Sequence, residues 1–299
     1  MEDVGARIRE LKEKRNAVIL AHNYCLPEVQ DVADFTGDSL GLSVKASQTD
    51  ADVIVFCGVT FMAESAKILS PGKKVIMPEP AAYCAMAQMC TPEAIREARR
   101  AHPDAEVVGY VNSTAACKAE MDVCCTSSNA VDIVSSLAGK DVIFVPDRNL
   151  GSYSKRMCPQ KDMVLWDGFC PIHQSITVGQ VEALKREFPG APVIAHPECR
   201  GEVLALADHI GSTEKMIGIS KSSASDDIII LTEVGMKHRL EKECPGKRFH
   251  FPECAVCSAM KMIDLESLLR SLEKMETEVV LDADILERAR RPVQRMIGS

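Results

Sequence analysis

The chain has 299 residues, enough for two or three domains, with 46% hydrophobic residues to build a core and 26% charged residues to face water. Aromatic residues make up only 4%, so the core is expected to be aliphatic. A net charge of −8 excludes a general nucleic-acid binder, which presents a basic face, but leaves room for a locally positive site that takes small anions.

Met1-Glu2-Asp3 opens no basic segment leading into an apolar one, and no apolar run nears the roughly 18 residues that a membrane helix needs. A cytoplasmic protein with no membrane partner is expected. Thirteen cysteines in a reducing compartment do not read as a disulfide framework. Some are candidates for metal binding or catalysis, and most are read as small buried apolar residues.

Taken in order, residues 2–15 form a helix, with Val4, Ile8 and Leu11 on one face. Ala17-Val18-Ile19-Leu20-Ala21 is a continuous apolar run, as expected of a buried parallel strand, and it ends in His22-Asn23-Tyr24. Helical pieces over 27–48 are interrupted at Thr36-Gly37-Asp38-Ser39. A second strand, 52–56, runs into a helix from Ala63 to Leu69, and a third, 74–77, leads to Cys84.

The pattern then returns. A helix over 92–101 precedes the strand 106–110, which ends in Val111-Asn112. Cys125-Thr126-Ser127-Ser128 opens a helix, 141–145 is a strand followed by Pro146-Asp147-Arg148-Asn149, and Met163-Val164-Leu165 leads to Cys170. In the third copy a helix over 177–187 precedes the strand 191–195, which ends in His196-Pro197-Glu198. Gly211-Ser212-Thr213 follows, then the strand 227–231 and Thr232-Glu233, and Arg248-Phe249-His250-Phe251 leads to Cys257. Residues 261–299 read as one or two closing helices.

One period runs through these landmarks. Cys84, Cys170 and Cys257 are separated by 86 and 87 residues, and the strand tips His22, Tyr110 and His196 by 88 and 86. Asp52, Asp141 and Asp227, which open the second strands, are separated by 89 and 86. The hydroxyl residues Ser39, Ser127 and Thr213 are separated by 88 and 86. Such a period is too long for a solenoid and fits three βαβαβ units with parallel sheets, here 1–85, 86–171 and 172–299 with the closing helices. Loops at the carboxyl ends of parallel strands form ligand sites, so three such ends turned inward make one central pocket.

Each unit delivers one thiol. Three thiolates fit zinc with an open position, though zinc usually recruits a histidine, or a cluster that leaves one iron free of cysteine. Buried core thiols are the plain alternative. Cys254 and Cys257 form the one C-x-x-C pair, and a redox role for Cys254 competes with that of a bystander. Cys25, Cys57, Cys90, Cys117, Cys124, Cys125, Cys158, Cys199 and Cys244 are read as structural. His22, Tyr24, Tyr110, Asn112, His196 and Glu198 follow apolar strands and are expected to face the pocket. Glu198 is a candidate general acid/base whose pKa burial would raise. Ser39, Ser127 and Thr213 read either as helix caps or as anion-binding hydroxyls at helix starts. Glu64, Asp147, Arg148 and Asn149 are read as structural.

These phrases resemble the quinolinate synthase family, the A protein of bacterial and archaeal NAD biosynthesis. The resemblance rests on Ala21-His22-Asn23-Tyr24, Gly37-Asp38-Ser39, Phe61-Met62-Ala63-Glu64, Tyr110-Val111-Asn112-Ser113-Thr114 and Cys125-Thr126-Ser127. Further along it rests on Pro146-Asp147-Arg148-Asn149-Leu150-Gly151, Cys170-Pro171-Ile172-His173-Gln174, His196-Pro197-Glu198-Cys199 and Ala255-Val256-Cys257. It implies an α/β fold of three pseudo-threefold-related αβα sandwich domains around one central active site. It implies one [4Fe-4S] cluster on Cys84, Cys170 and Cys257. The implied reaction condenses iminoaspartate with dihydroxyacetone phosphate to quinolinate, phosphate and two waters, with coupling to an aspartate-oxidising enzyme. Carried over by position, the substrate-binding residues are His22, Ser39, Tyr110, Val111, Asn112, Ser127, His196, Pro197, Glu198 and Thr213. Glu198, His22, Tyr24 and Tyr110 take the proton-transfer roles. The longer C-x-x-C-x-x-C of some family members is reduced here to Cys254-x-x-Cys257, with Phe251 in the first place. Another three-cysteine cluster hydro-lyase, and a non-catalytic iron–sulfur or redox-sensing protein, are the competing readings.

Overall fold

Among the described residues twelve short strands assemble into three four-stranded sheets, all parallel within themselves. The computed structural model describes residues 4–298, so Glu2 and Asp3 of the first expected helix lie outside the described residues. The first sheet holds β1 (Ala17–His22), β2 (Phe35–Gly37), β3 (Val53–Cys57) and β4 (Lys74–Ile76), in the order β2-β1-β3-β4. The second holds β5 (Glu106–Tyr110), β6 (Val123–Cys125), β7 (Asp141–Val145) and β8 (Asp162–Leu165), in the order β6-β5-β7-β8. The third holds β9 (Val193–Ala195), β10 (His209–Ile210), β11 (Asp227–Leu231) and β12 (Arg248–His250), in the order β10-β9-β11-β12. The three orders are the same, so the 86-residue period of the sequence is a period of topology.

The central strands are apolar along their length because helices cover both faces of each sheet. In the third sheet the alternation can be followed residue by residue. Val193, Ala195, Ile229 and Leu231 enter one buried cluster, while Ile194, Ile228 and Ile230 enter the cluster on the other side. A single larger core runs through the first two sheets and the closing helices.

Three edge strands, β2, β6 and β10, are additions to the sequence expectation. They have three, three and two residues, too few for any periodicity to register. β6 therefore takes Cys125, and the helix expected to open there starts later, at Ala130. Helices Arg148–Met157 and Met236–Glu243 also appear where the sequence reading assigned no element. The closing segment forms helices Leu265–Lys274 and Ala283–Ile297. The former packs on helix Val4–Lys14, and the latter on β6 and on helices of the first two repeats. Neither lines the central cavities described below.

Candidate active site

Cys84, Cys170 and Cys257 are half-buried, whereas nine of the other ten cysteines are buried and Cys254 is exposed. All three face one cavity of about 560 Å³, which they share with His22, Tyr24, His173, Glu198, Glu233 and a mainly apolar wall that includes Phe61, Met62 and Met260. Cys170 and Cys257 each stand immediately before a short helix, Pro171–Ser175 and Ser258–Lys261. Backbone N–H groups of the turn after each cysteine favour its thiolate: those of Ala87 and Met86 for Cys84, of His173 for Cys170, and of Met260 and Ala259 for Cys257. Burial pushes the Cys84 thiol up to about 12 and raises Cys170 and Cys257 as well, and these N–H groups oppose it.

This donor set fits a polynuclear iron–sulfur group. Sulfurs gathered on one tetrahedral metal at about 2.3 Å stand roughly 3.8 Å apart. Among the described residues the three thiols do not form a group converging within 4.8 Å. They are nevertheless near enough to influence one another, Cys257 acting on Cys84 and Cys84 on Cys170. Three thiols spread around a large apolar cavity suit a cluster, which is wider than an ion. The group that does converge within 4.8 Å is Cys170, His173 and Glu198. Hydrogen bonding accounts for it, since His173 Nδ1 lies 3.2 Å from Cys170 Sγ and 2.7 Å from Glu198 Oε2.

A second, narrower cavity adjoins the first across His22, Tyr24 and Glu198. Its walls also include Asp38, Ser39, Tyr110, Thr126, Ser127, His196 and Thr213. The strand tips and hydroxyls that share the sequence period therefore meet. Ser39 and Thr213 are the first residues of helices Ser39–Gln48 and Thr213–Ser222, where free backbone N–H groups favour an anion. The cap of the first helix is Asp38, which accepts from Gly41 N at 2.8 Å and from the Ser128 hydroxyl at 2.6 Å. Thr213 Oγ1 accepts from Asn23 Nδ2 at 2.8 Å, and Asn23 is itself held by Arg239. The Thr213 proton is thereby turned away from Asn23 and can be donated to a ligand.

The two histidines of this lobe are neutral. Burial lowers His22 and His196 to about 3 each. Both use Nδ1 as an acceptor, His22 from Tyr24 N at 3.2 Å and His196 from Glu198 N at 3.4 Å. That fixes the proton on Nε2, the remaining donor.

Glu198, 3% exposed, is the hub. Burial raises its pKa, but the electrostatic pull of the His173 and His196 rings and the hydrogen bonds from His173 and Tyr110 outweigh burial and hold the carboxyl below its ordinary range. The sequence expectation of a raised Glu198 pKa is corrected on this point, because His173 was not among the predicted site residues. Tyr24 and Tyr110 are both raised well above 10, by burial first and then by the Glu198 charge. The phenols stay protonated, and the Tyr110 hydroxyl donates to Glu198 Oε1.

A chain of hydrogen bonds leaves Glu198 on the other side. His173 Nε2 lies 2.8 Å from Thr232 Oγ1, which lies 2.7 Å from the Tyr24 hydroxyl. With Glu198 ionised, His173 Nδ1 carries the proton that faces it, and in the tautomer that leaves Nε2 as an acceptor the donors are ordered. Tyr24 donates to Thr232, Thr232 to Nε2, and Nδ1–H to Glu198. Neither His173 nor Thr232 was selected from sequence. A signal for His173 existed: it lies three residues after Cys170, one helical turn on.

Val111, Asn112 and Pro197 do not line either cavity. Val111 is fully buried beside the Tyr110 tip, and Asn112 Oδ1 is buried without a partner. Glu64, Lys118 and Asn149 support the site from behind. Glu64 accepts from Ala115 N at 2.8 Å, Lys118 donates to Ser113 O at 2.5 Å, and Asn149 donates to Glu198 O at 2.9 Å. Arg148 pairs at the surface with Asp167. Cys254 Sγ lies 3.2 Å from Gln180 Nε2, while Cys257 turns into the cavity.

Three parallel α/β repeats that surround thiols, neutral imidazoles and a buried carboxylate define an enzyme of the iron–sulfur class. The quinolinate synthetase A protein model matches residues 6–298, and the chain belongs to that family. It is 52% identical to the quinolinate synthase of Methanosarcina barkeri, with 98% of this chain and 96% of the relative covered. It is 48% identical to that of Aquifex aeolicus, covering 99% and 94%, and 48% identical to that of a Geobacter species, covering 99% and 98%. No helix among the described residues is long and apolar enough to cross a membrane.

Proposed function

We propose that this chain is a quinolinate synthase of NAD biosynthesis, condensing iminoaspartate with dihydroxyacetone phosphate to give quinolinate, phosphate and two waters. Its cofactor is one [4Fe-4S] cluster held by Cys84, Cys170 and Cys257. The observation that carries this reading is the convergence of one half-buried thiol from each repeat on a cavity that Glu198 and Tyr24 also line. When bound, the cluster supplies a Lewis-acidic iron, free of cysteine, for the loss of water.

The chain's own residues bind and move protons. Ser39 and Thr213, with hydroxyls at helix starts, and Ser127, in the turn before helix Ala130–Ser136, hold the phosphate or the carboxylates, and His22 and His196 add neutral Nε2–H donors. Holding the anion with neutral donors keeps it from being neutralised by an ion pair that product release would have to break. The ordered chain from Tyr24 through Thr232 and His173 to Glu198 supplies a base. In a concerted shift the Tyr24 oxygen takes a proton from carbon or hydroxyl as its own passes through Thr232 and His173 to Glu198, so that the phenol stays protonated. Return of the shift makes Tyr24 the acid for the leaving oxygen. Tyr110 donates to Glu198 throughout and stabilises its charge.

The test is anaerobic reconstitution, an iron and sulfide count, and an assay for quinolinate from the two substrates. Four irons per chain and quinolinate formation are expected. A chain that loads fewer irons, or that loads the cluster but only dehydrates a simple hydroxy acid, refutes the proposal. An aspartate-oxidising enzyme, which makes the unstable imine, is the coupled partner.

A further inference from the structure

Two of the three cluster-bearing cysteines share a feature that the third lacks. Asp147, fully buried, follows β7 and accepts from Leu150 N with Oδ1 at 2.7 Å and from Cys170 N with Oδ2 at 3.1 Å. Glu233, 1% exposed, follows β11 and accepts from Cys257 N with Oε1 at 3.0 Å and from Gly235 N with Oε2 at 2.7 Å. The two acids lie 86 residues apart and the two cysteines 87, so this is one device used in two repeats. Lys261 completes the third-repeat copy, pairing with Glu233 at 3.0 Å and donating to Tyr24 O at 2.7 Å.

Repeat one is built differently. At the 89-residue offset of its second strand the position of Asp147 falls on Gly58. A Cβ there would meet Met62 Sδ at 2.9 Å and the Phe56 ring at 3.0 Å, so the site has no room for an acid. The loop is fastened instead at Ala82, whose carbonyl accepts from Thr60 N at 2.9 Å and Thr60 Oγ1 at 3.0 Å. Among the described residues no carboxylate holds the Cys84 N–H.

The geometry points to Asp147 and Glu233 as positioning residues that lock the backbones of Cys170 and Cys257 for the cluster, leaving Cys84 as the loosely held corner. A carboxylate that takes the ligand's own N–H and a second N–H of the neighbouring turn fixes the torsion that aims the thiol. It also keeps that N–H from competing for the sulfur. Partners behind a metal ligand of this kind typically change metal affinity by about 10–100-fold.

The inference rests on the cluster assignment proposed above, and the test separates the two. Asp147→Asn and Glu233→Gln keep the shape but turn one acceptor into an NH2 group facing an N–H. Each reconstituted variant is incubated with an iron chelator well below its melting temperature, and iron release is followed. Apo and loaded melting temperatures are recorded alongside. Release roughly tenfold faster than native is expected, with a smaller gain in melting temperature on loading. A purely structural role would lower both melting temperatures together and leave release unchanged, and that result overturns the inference. If neither variant folds as apoprotein, the carboxylates serve the fold and the inference also fails. If the unaltered chain loads no cluster, it is the cofactor assignment that fails. Should only one variant fold, that one decides alone.

Discussion

His173 Nδ1 lies 2.7 Å from Glu198 Oε2, and both side chains are almost wholly shielded from water. A buried carboxylate stays ionised only when its charge is answered on every side. Here Tyr110 answers it from the second repeat and His173 from the turn that carries the Cys170 thiol. Glu198→Gln removes the proton sink at the end of the relay. A kcat lower by about 10²–10⁴-fold, with native iron content, is expected. Near-native turnover in steady-state assays would remove Glu198 from the proton-transfer role.

Thr232 is the one side chain between Tyr24 and His173 in the relay. Thr232→Val keeps its volume and breaks both hydrogen bonds, while Thr232→Ser keeps them. The valine variant is expected to lose about 100-fold in kcat with little change in KM, and the serine variant to stay near native. Equal kinetics for the two would show that no proton passes through the hydroxyl.

Acid should unfold the apoprotein through its histidines. Burial lowers His22 and His196 to about 3 in the folded protein, against 6.5 for an ordinary histidine. Below pH about 6.5 the unfolded chain takes up protons that the folded chain does not. Stability is fully present above that pH and falls as the pH drops toward 3. Each histidine contributes a slope of up to about 1.4 kcal/mol per pH unit. Glu198, depressed below its ordinary value of 4.5, adds a fall of the same sign below that pH. Urea midpoints of the apoprotein should drop steeply between pH 6 and 4, and less steeply in His196→Gln. A level profile would contradict the neutral imidazoles.

Much of this site could be read from sequence because a long period is visible in spacing alone. The tips His22, Tyr110 and His196 and the hydroxyls Ser39, Ser127 and Thr213 recur in phase, and in the structure all six meet in one pocket. What breaks the period was hidden. His173 and Thr232 belong to a single repeat each, so no counterpart drew attention to them. Asp147 was read as structural, and the partners it takes, the N–H groups of Leu150 and Cys170, are backbone atoms that no side-chain pattern announces. The edge strand β10 has two residues and leaves no periodic trace. The Glu198 pKa was misjudged because burial was visible in the apolar run before it, while the compensating His173 was not.

The cysteines divide by environment, and that division predicts which of them matter for metal. Cys84, Cys170 and Cys257 are half-buried on the cavity. Cys124 and Cys125 are fully buried, with burial raising both thiols. Cys254 is exposed, off the cavity wall. Serine is a poor substitute for a thiolate on iron, so Cys84→Ser, Cys170→Ser and Cys257→Ser should each leave well under four irons per chain after anaerobic reconstitution. Cys254→Ser should load as native and keep its activity, because its sulfur meets only Gln180 and the Ser175 carbonyl. Cys124→Ser should also load, though it places a hydroxyl in an apolar core and is expected to cost about 1–3 kcal/mol of stability. Iron and sulfide counts across the five variants, with melting temperatures, check the division. A full cluster in any of the first three, or a lost one in Cys254→Ser, would place the metal on a different set of thiols.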